Sequence, residues 1–326
     1  MRALVTGAAG FVGQWLCGAL LREGWEVYGA RLDADARPAH SGASPGGLTS
    51  EEASAVRWLS CDVTSSADMA GALDEAAPDA VFHLAGVAFV PDAGSDPAGA
   101  LAVNTVSAAR LLAQLRERKH AGTLDPVVII VGSGEQYGAH RAEEQPLCES
   151  ADQRPVTVYA ASKAAQEVIA LQACRADGLR VIATRPFNHS GRGQSSRFVI
   201  PALVRRALDL RGTPGAVLSI GNTTPIRDFL HVADVVRAYI LLAERGEPGE
   251  VYNISSGKGV AIGVLASRIL AMAGTDATLE SDPSLVRPVD VPILVGDPSR
   301  LQDATGWSAE HSLDTIIEDV IRATAH

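Results

Sequence analysis

A chain of 326 residues, 47% of them hydrophobic and 20% charged, has material for a large buried core in one big domain or two smaller ones. Its net charge of −10 and pI near 5.3 exclude the broad basic surface of a nucleic-acid binder, so any anionic ligand must be met by local arginines. No apolar run is long enough to span a bilayer, and no membrane partner is expected.

The first element, Arg2–Thr6, reads as a buried strand. Nothing like the basic region, apolar stretch and cleavage site of a signal peptide precedes it, so a cytoplasmic location is expected. It feeds a helix over 11–23 through Gly7-Ala8-Ala9-Gly10-Phe11-Val12-Gly13. In that position glycines let the backbone turn tightly and approach a pyrophosphate, which sits on the free amides of the helix N-terminus. Further strands are predicted at 26–30, 56–59, 79–84, 126–131 and 180–185, and helices at 66–76, 98–118 and 159–177. The alternation predicts an α/β fold, a Rossmann doubly wound parallel sheet with helices on both faces. Residues 33–54, rich in Ala, Pro, Gly and Ser, read as an exposed loop. Cys17, Cys61, Cys148 and Cys174 lie far apart, and the histidines, His83, His189 and His231 among them, show no ligand spacing. Neither a disulfide framework nor a metal site is expected.

At the end of the second strand an acidic residue would accept the adenosine ribose hydroxyls, and an arginine would accommodate a 2′-phosphate. In Val27-Tyr28-Gly29-Ala30-Arg31-Leu32-Asp33 the arginine comes first, which favours NADP(H), with NAD(H) the alternative through Asp33. Asp62-Val63 and Leu84-Ala85-Gly86 follow the third and fourth strands. They fall where loops would touch the adenine and the pyrophosphate, or they are ordinary turn residues.

Tyr159 and Lys163 are one helical turn apart on one face. An ammonium beside a phenol favours the phenolate, so Lys163 is expected to lower the tyrosine pKa toward the range of an acid/base catalyst. Only Lys119, Lys163 and Lys258 of the 28 basic residues are lysines, and a chain that otherwise uses arginine has one here. Taken alone, the pair could be surface residues of an ordinary helix.

After Arg185-Pro186 the rhythm changes, dividing residues 1–186 from a smaller α/β part, 187–326, that mainly binds substrate and returns some chain to the sheet. A glycine-rich loop spans Ser190 to Ser195. Helices are predicted at 198–210, 232–244, 263–273 and 312–323, and strands at 217–220, 226–230 and 250–254. Arg192, Arg197, Arg205, Arg206, Arg227 and Arg287 supply local positive charge, with Arg205 and Arg206 expected at the solvated surface.

These residues together resemble the extended short-chain dehydrogenase/reductase family of nucleotide-sugar enzymes over essentially the whole chain. The shared order is Thr6-Gly7-x-x-Gly10-x-x-Gly13, Asp62-Val63, His83-Leu84-Ala85-Gly86, Asn104, Ser133, Tyr159-x-x-x-Lys163 and Arg185-Pro186-Phe187-Asn188. The resemblance implies that Ser133 orients the substrate oxygen, that Tyr159 passes the proton and that Lys163 bonds the nicotinamide ribose. It also implies that Asn104 and Pro186 belong to the cofactor site. Phe187 to Gln194, Arg227-Asp228-Phe229-Leu230-His231-Val232-x-Asp234 and Val286-Arg287-Pro288-Val289-Asp290-Val291-Pro292 look like the branch of GDP-mannose dehydratases and GDP-4-keto-6-deoxy-mannose reductases. Within that branch the implied GDP-sugar contacts are Asn188, Arg192, Arg197, Val199, Arg227, Arg287 and Asp290, the arginine forks suiting a diphosphate.

Ser133 and Glu135 fit the dehydratase pattern, in which the glutamate moves protons during elimination, but the reductases carry a glutamate there too. The first loop lacks the Asp-Gly variant typical of dehydratases, and residues 31–50 lack their double arginine. The expected reaction is therefore NADPH-dependent reduction of a 4-keto GDP-sugar. The alternatives are a GDP-mannose 4,6-dehydratase or another nucleotide-sugar epimerase or dehydratase and, in a different class, a cofactor-binding sensor or interaction module. The family also implies a homodimer through a four-helix bundle built from helices 98–118 and 159–177.

Overall fold

The computed structural model describes residues 1–32, 48–285 and 291–325. In the first half, strands β1 (Arg2–Thr6), β2 (Glu26–Arg31), β3 (Arg57–Ser60), β4 (Ala80–His83), β5 (Val127–Val131) and β6 (Arg180–Pro186) alternate with helices. These are α1 (Phe11–Arg22), α2 (Ser50–Ala55), α3 (Ser66–Ala76), α4 (Val90–Ser95), α5 (Pro97–Leu101), α6 (Ser107–His120) and α7 (Val158–Asp177). The second half contains β7 (Asn188–Ser190), β8 (Val217–Ile220), β9 (Ile226–His231), β10 (Val251–Ile254), β11 (Gly259–Ala261), β12 (Thr278–Ser281) and β13 (Ile293–Leu294). Its helices are α8 (Val199–Asp209), α9 (Val232–Arg245), α10 (Ile262–Ala273), α11 (Ser299–Thr305) and α12 (Leu313–Thr324).

The fold is α/β around a parallel sheet of seven strands in the order β10-β6-β5-β4-β1-β2-β3. Alternation along β1 shows how it is covered. Ala3 and Val5 face Leu16, Leu20, Val235 and Tyr239 of α1 and α9, while Leu4 faces Met69, Leu73, Leu111 and Ala170 of α3, α6 and α7. A parallel sheet needs both faces covered, and here α9 and β10 return from the second half to complete it. A separate core around Ile200, Leu203, Leu265, Ile269, Ile316 and Ile317 holds α8, α10 and α12 together. The strand order reverses at β1, so the carboxyl ends of β1 and β4 form the crevice where ligands of doubly wound sheets bind.

The predicted strands, and the helices other than 98–118, match within one residue at each end. Two expectations need correction. Within the predicted loop 33–54, Ser50–Ala55 is helical, because Thr49 and Glu52 close a reciprocal capping box at its start. The single helix predicted over 98–118 is broken into α5, a π-helical turn at Ala102–Val106, and α6. That turn contains Asn104, whose side chain is bonded outside the helix, and π turns mark such sites. Asp33, Arg287 and Asp290 lie outside the described residues, as does most of the predicted loop. Among the described residues, no helix is long and apolar enough to cross a membrane.

Candidate active site

Ser133 follows β5 in extended conformation and caps a short 3-10 turn, Gly134–Tyr137, its Oγ accepting the Glu135 N–H at 3.2 Å. Tyr159 and Lys163 lie in the first turns of α7, whose N-terminus is capped by Thr157. The Ser133 side chain is close enough to the Tyr159 hydroxyl to favour the phenolate, and Glu135 is close enough for its charge to oppose ionisation of the phenol. The four residues expected to do chemistry thus share one space.

Their electrostatics differ from the expectation that Lys163 lowers the tyrosine pKa. Burial pushes Tyr159 up to about 12; Ser133 offsets part of the rise and Glu135 adds to it. Burial also pushes Lys163 down, to about 8. Its ammonium turns to the Val131 carbonyl at 2.8 Å and Gln166 Oε1 at 3.0 Å. At neutral pH the site therefore presents a protonated phenol.

The glycine loop has the shape a dinucleotide needs. Gly7 adopts φ 69°, and a Cβ there would lie 2.9 Å from the Ala85 nitrogen. One on Gly13 would fall 2.2 Å from the Gly7 carbonyl oxygen. Side chains would fill this cradle and push β1 away from the loop after β4, so the residues present fit a pyrophosphate on the α1 N-terminus. Gly10 caps that helix, and Phe11 and Val12 open it, Phe11 lying parallel to His189 at 6.3 Å. Arg31 ends β2 with its guanidinium 4.3 Å over the Trp58 ring.

Below the cradle runs a buried hydrogen-bond chain. The Ala85 N–H donates to Thr6 Oγ1 at 3.2 Å, Thr6 Oγ1 meets His83 Nδ1 at 2.9 Å, and His83 Nε2 meets Ser107 Oγ at 3.0 Å. Ser107 gives its own proton to the Val103 carbonyl, so Nε2 carries the imidazole proton and Nδ1 accepts from Thr6. Burial, helped by the charge of Lys163, pushes His83 down to about 3 and keeps it neutral. His83 and His231 are buried.

Several residues expected at the cofactor site also bond or pack against protein groups. Asn104 is fully buried. Its Oδ1 accepts the Val87 N–H at 2.7 Å, and its Nδ2 donates to Ser162 Oγ at 2.8 Å and to the Val87 carbonyl at 3.3 Å. It ties the segment that follows Leu84-Ala85-Gly86 to α7. Gly86 must stay small, since a Cβ there would be 2.9 Å from Asn104 Oδ1 and 3.4 Å from Lys163 Nζ. Asp62 Oδ1 accepts from the Thr64 N–H and hydroxyl, and Val63 packs in the core with Ala85. Pro186 ends β6 in register with Ile254.

The arginines of the second half rest on protein partners. Arg197 forks the Asp92 carboxylate at 2.8 and 2.5 Å and lies 3.9 Å over the Phe89 ring, joining the segment before α8 to α4. Arg192 stacks 4.8 Å over Trp15, its carbonyl accepts the Trp15 Nε1–H at 3.1 Å, and its N–H donates to Asp319. Asn188 pairs with Phe229 in the small sheet, Arg227 lies on β9, and Val199 opens α8. Arg205 is exposed as expected, whereas Arg206 is half-buried and donates to the Ser219 carbonyl.

Sequence reasoning missed Gln166, although its i+3 spacing from Lys163 put it on the same helix face. It also missed Tyr239 of α9, a buried phenol near Thr184 and close enough to Tyr159 for a charge there to oppose its ionisation. No local signal marks Tyr239, because only the return of α9 to the sheet brings it there.

A family model described as GDP-mannose 4,6 dehydratase matches residues 4–320. The chain is 37% identical over 257 residues to a GDP-6-deoxy-D-mannose reductase of Pseudomonas aeruginosa, covering 77% of this chain and 83% of the relative. It is 29% identical to a GDP-6-deoxy-D-talose 4-dehydrogenase of Aggregatibacter actinomycetemcomitans, over 94% of this chain and 92% of that one. The solved structure of RMD from Pseudomonas aeruginosa complexed with NADPH superposes with a TM-score of 0.81 at 30% identity, covering 99% of each chain.

Proposed function

The chain belongs to the GDP-mannose 4,6-dehydratase family, and from that premise we propose that it reduces the 4-keto group of GDP-4-keto-6-deoxy-D-mannose to give GDP-6-deoxy-mannose (GDP-D-rhamnose). NADPH, when bound, supplies the hydride. Gly7, Gly10 and Gly13 hold its pyrophosphate, Arg31 takes the 2′-phosphate, and Lys163 bonds the nicotinamide ribose. Tyr159 donates its phenolic proton to the oxygen at carbon 4 while Ser133 orients that oxygen. Asn188, Arg192, Arg197, Val199 and Arg227 receive the GDP-sugar.

The observation that carries this reading is the likeness, at 37% identity over 77% of this chain, to a GDP-6-deoxy-D-mannose reductase. The site fits it, since burial raises the Tyr159 pKa and so keeps on the phenol the proton that a ketone reduction consumes. Glu135 beside Tyr159 favours the second reading, a dehydratase, since a carboxylate there can move the protons of water elimination.

A paired assay separates these readings. Purified protein is given NADPH with GDP-4-keto-6-deoxy-D-mannose and, separately, GDP-mannose with no added cofactor. Oxidation of NADPH in the first and no change in the second is the expected result. A keto product from GDP-mannose would establish the dehydratase. Tight NADPH binding with no turnover of any 4-keto nucleotide sugar would mean a sensor.

We also read the chain as a homodimer through α6 and α7. Val106, which ends the π-helical turn before α6, and Val168 on α7 are exposed, Val168 by 60%, and such apolar faces suit burial against a second copy.

A further inference from the structure

Behind Ser133 lies a polar knot that the proposed reaction does not use. Glu167 on α7 and Arg185 on β6 form a fork, Arg185 Nη2 and Nε donating to Glu167 Oε1 and Oε2 at 2.6 and 2.9 Å, with both side chains 4% exposed. Arg185 also donates to the Glu149 carbonyl at 3.1 Å and lies 4.7 Å over the Tyr137 ring. The same carboxylate accepts from two glutamines, Gln153 Nε2 at 2.6 Å and Gln136 Nε2 at 2.9 Å.

Gln136 continues toward the catalytic groups. Its Oε1 accepts the Ser133 N–H at 2.7 Å. The approach is close enough that a Cβ on Gly132 would fall 2.3 Å from that oxygen, so glycine at 132 makes room for the amide. Gln136 is fully buried, and its two ends are not interchangeable. Rotating the amide would set Oε1 against the Glu167 carboxylate and Nε2 against the Ser133 N–H, two repulsive contacts in a low-dielectric interior. The ion pair therefore dictates which way Gln136 faces, and Gln136 in turn gives the Ser133 N–H its acceptor. Loss of that acceptor leaves a buried donor unpaired, and the backbone that aims Ser133 Oγ at Tyr159 must move to find another.

We propose that Gln136, oriented by the Glu167–Arg185 pair, is a positioning residue that fixes the Ser133 hydroxyl against the Tyr159 phenol. The inference rests on the reading of Ser133 and Tyr159 given above. Gln153 supplies its control: it donates to the same carboxylate and accepts a longer bond from Gln136 Nε2 at 3.3 Å, but it makes no bond to Ser133, and Gln136 keeps its shorter bond to Glu167 without it.

The test compares Gln136→Met with Gln153→Met in the full chain, with Gln136→Asn as a second variant because it is less apolar and too short to span both partners. Two measurements are made. One is kcat and KM for reduction of GDP-4-keto-6-deoxy-D-mannose. The other, which needs no turnover, is the 13Cζ resonance of Tyr159 in tyrosine-labelled protein, assigned among the five tyrosines by its loss in Tyr159→Phe. The Gln136 variants are expected to lose roughly ten- to a hundredfold in kcat, as small misplacements of catalytic groups do, with KM changed less than about twofold. Their Tyr159 resonance shifts toward its position in Ser133→Ala. Gln153→Met lowers the Tm but keeps the wild-type kcat and resonance. If the Gln136 and Gln153 variants change together, or if the Gln136 variants lower only the Tm, the inference is overturned. Should the wild type fail to reduce the keto sugar while the resonances behave as expected, the functional reading falls and the positioning role stands.

Discussion

The residues at the carboxyl edge of the large sheet are held by buried groups, whereas Arg192 and Arg197 of the second half are themselves exposed, and Arg197 is held by an exposed partner. Asn104, His83, Ser107, Gln136 and Glu167 are all buried, and each is bonded to other protein groups. Arg197 and Asp92, by contrast, form a pair whose side chains are 52% and 48% exposed, and Arg192 lies on the surface over Trp15. Breaking a hydrogen bond in a dry interior leaves a group without water to replace its partner. An exposed ion pair contributes only about 0–1 kcal/mol and exchanges partners readily. The proton-handling geometry is thus set before any ligand arrives, while the groups proposed to grip the diphosphate remain free to rearrange.

The largest expected effect comes from the rigid side of that contrast. Tyr159→Phe keeps the ring but removes the proton, so kcat for reduction is expected to fall about 10²- to 10⁴-fold while NADPH still binds, as steady-state kinetics and a binding titration would show. A variant within tenfold of wild type would remove Tyr159 as the donor.

A smaller effect tests the buried chain beneath the cradle. His83 in the folded protein has its pKa depressed from 6.5 to about 3, so the unfolded state binds the proton first as the pH falls. His83 therefore costs no stability above about pH 6.5. Below it, stability falls by up to about 1.4 kcal/mol per pH unit until pH 3 is approached. Denaturant unfolding at pH 7 and pH 5 would show a shallower pH slope for His83→Gln, together with lower stability at pH 7 from the altered bonds to Thr6 and Ser107. Equal slopes in the two proteins would mean that His83 takes up its proton without unfolding.

Legibility in the sequence follows the same divide between local and long-range causes. The strand, the glycine loop and the helix of residues 2–22 are contiguous, and Tyr159 and Lys163 are one turn apart, so local pattern was enough to place them. The π turn at Asn104 was not legible, because a bond to Ser162, 58 residues away, accompanies it. Lys163 illustrates the limit most directly. Its spacing from Tyr159 was read correctly, but the Val131 carbonyl that draws its ammonium lies 32 residues earlier, on the neighbouring strand. Spacing alone also could not show the burial that raises the Tyr159 pKa. Arg197 was expected to meet a ligand, and nothing in the sequence near it indicated that Asp92, 105 residues away, would hold it.

The smallest expected effect lies on that exposed pair and distinguishes a clamp from a ligand contact. Suppose Arg197 leaves Asp92 to meet the diphosphate of the sugar substrate. Arg197→Ala then raises KM several-fold with little change in kcat, because only binding common to ground and transition states is lost. Asp92→Asn acts in the opposite direction. It removes the competing carboxylate and lowers KM by at most about fivefold, the equivalent of the roughly 1 kcal/mol an exposed pair can contribute. If instead the pair only holds the segment before α8 against α4, both substitutions loosen the same contact and both raise KM. The sign of the Asp92→Asn effect therefore decides whether the adjustable side of the cleft contributes to recognition, and raising the salt concentration, which screens exposed charges, should shrink the difference between the two variants.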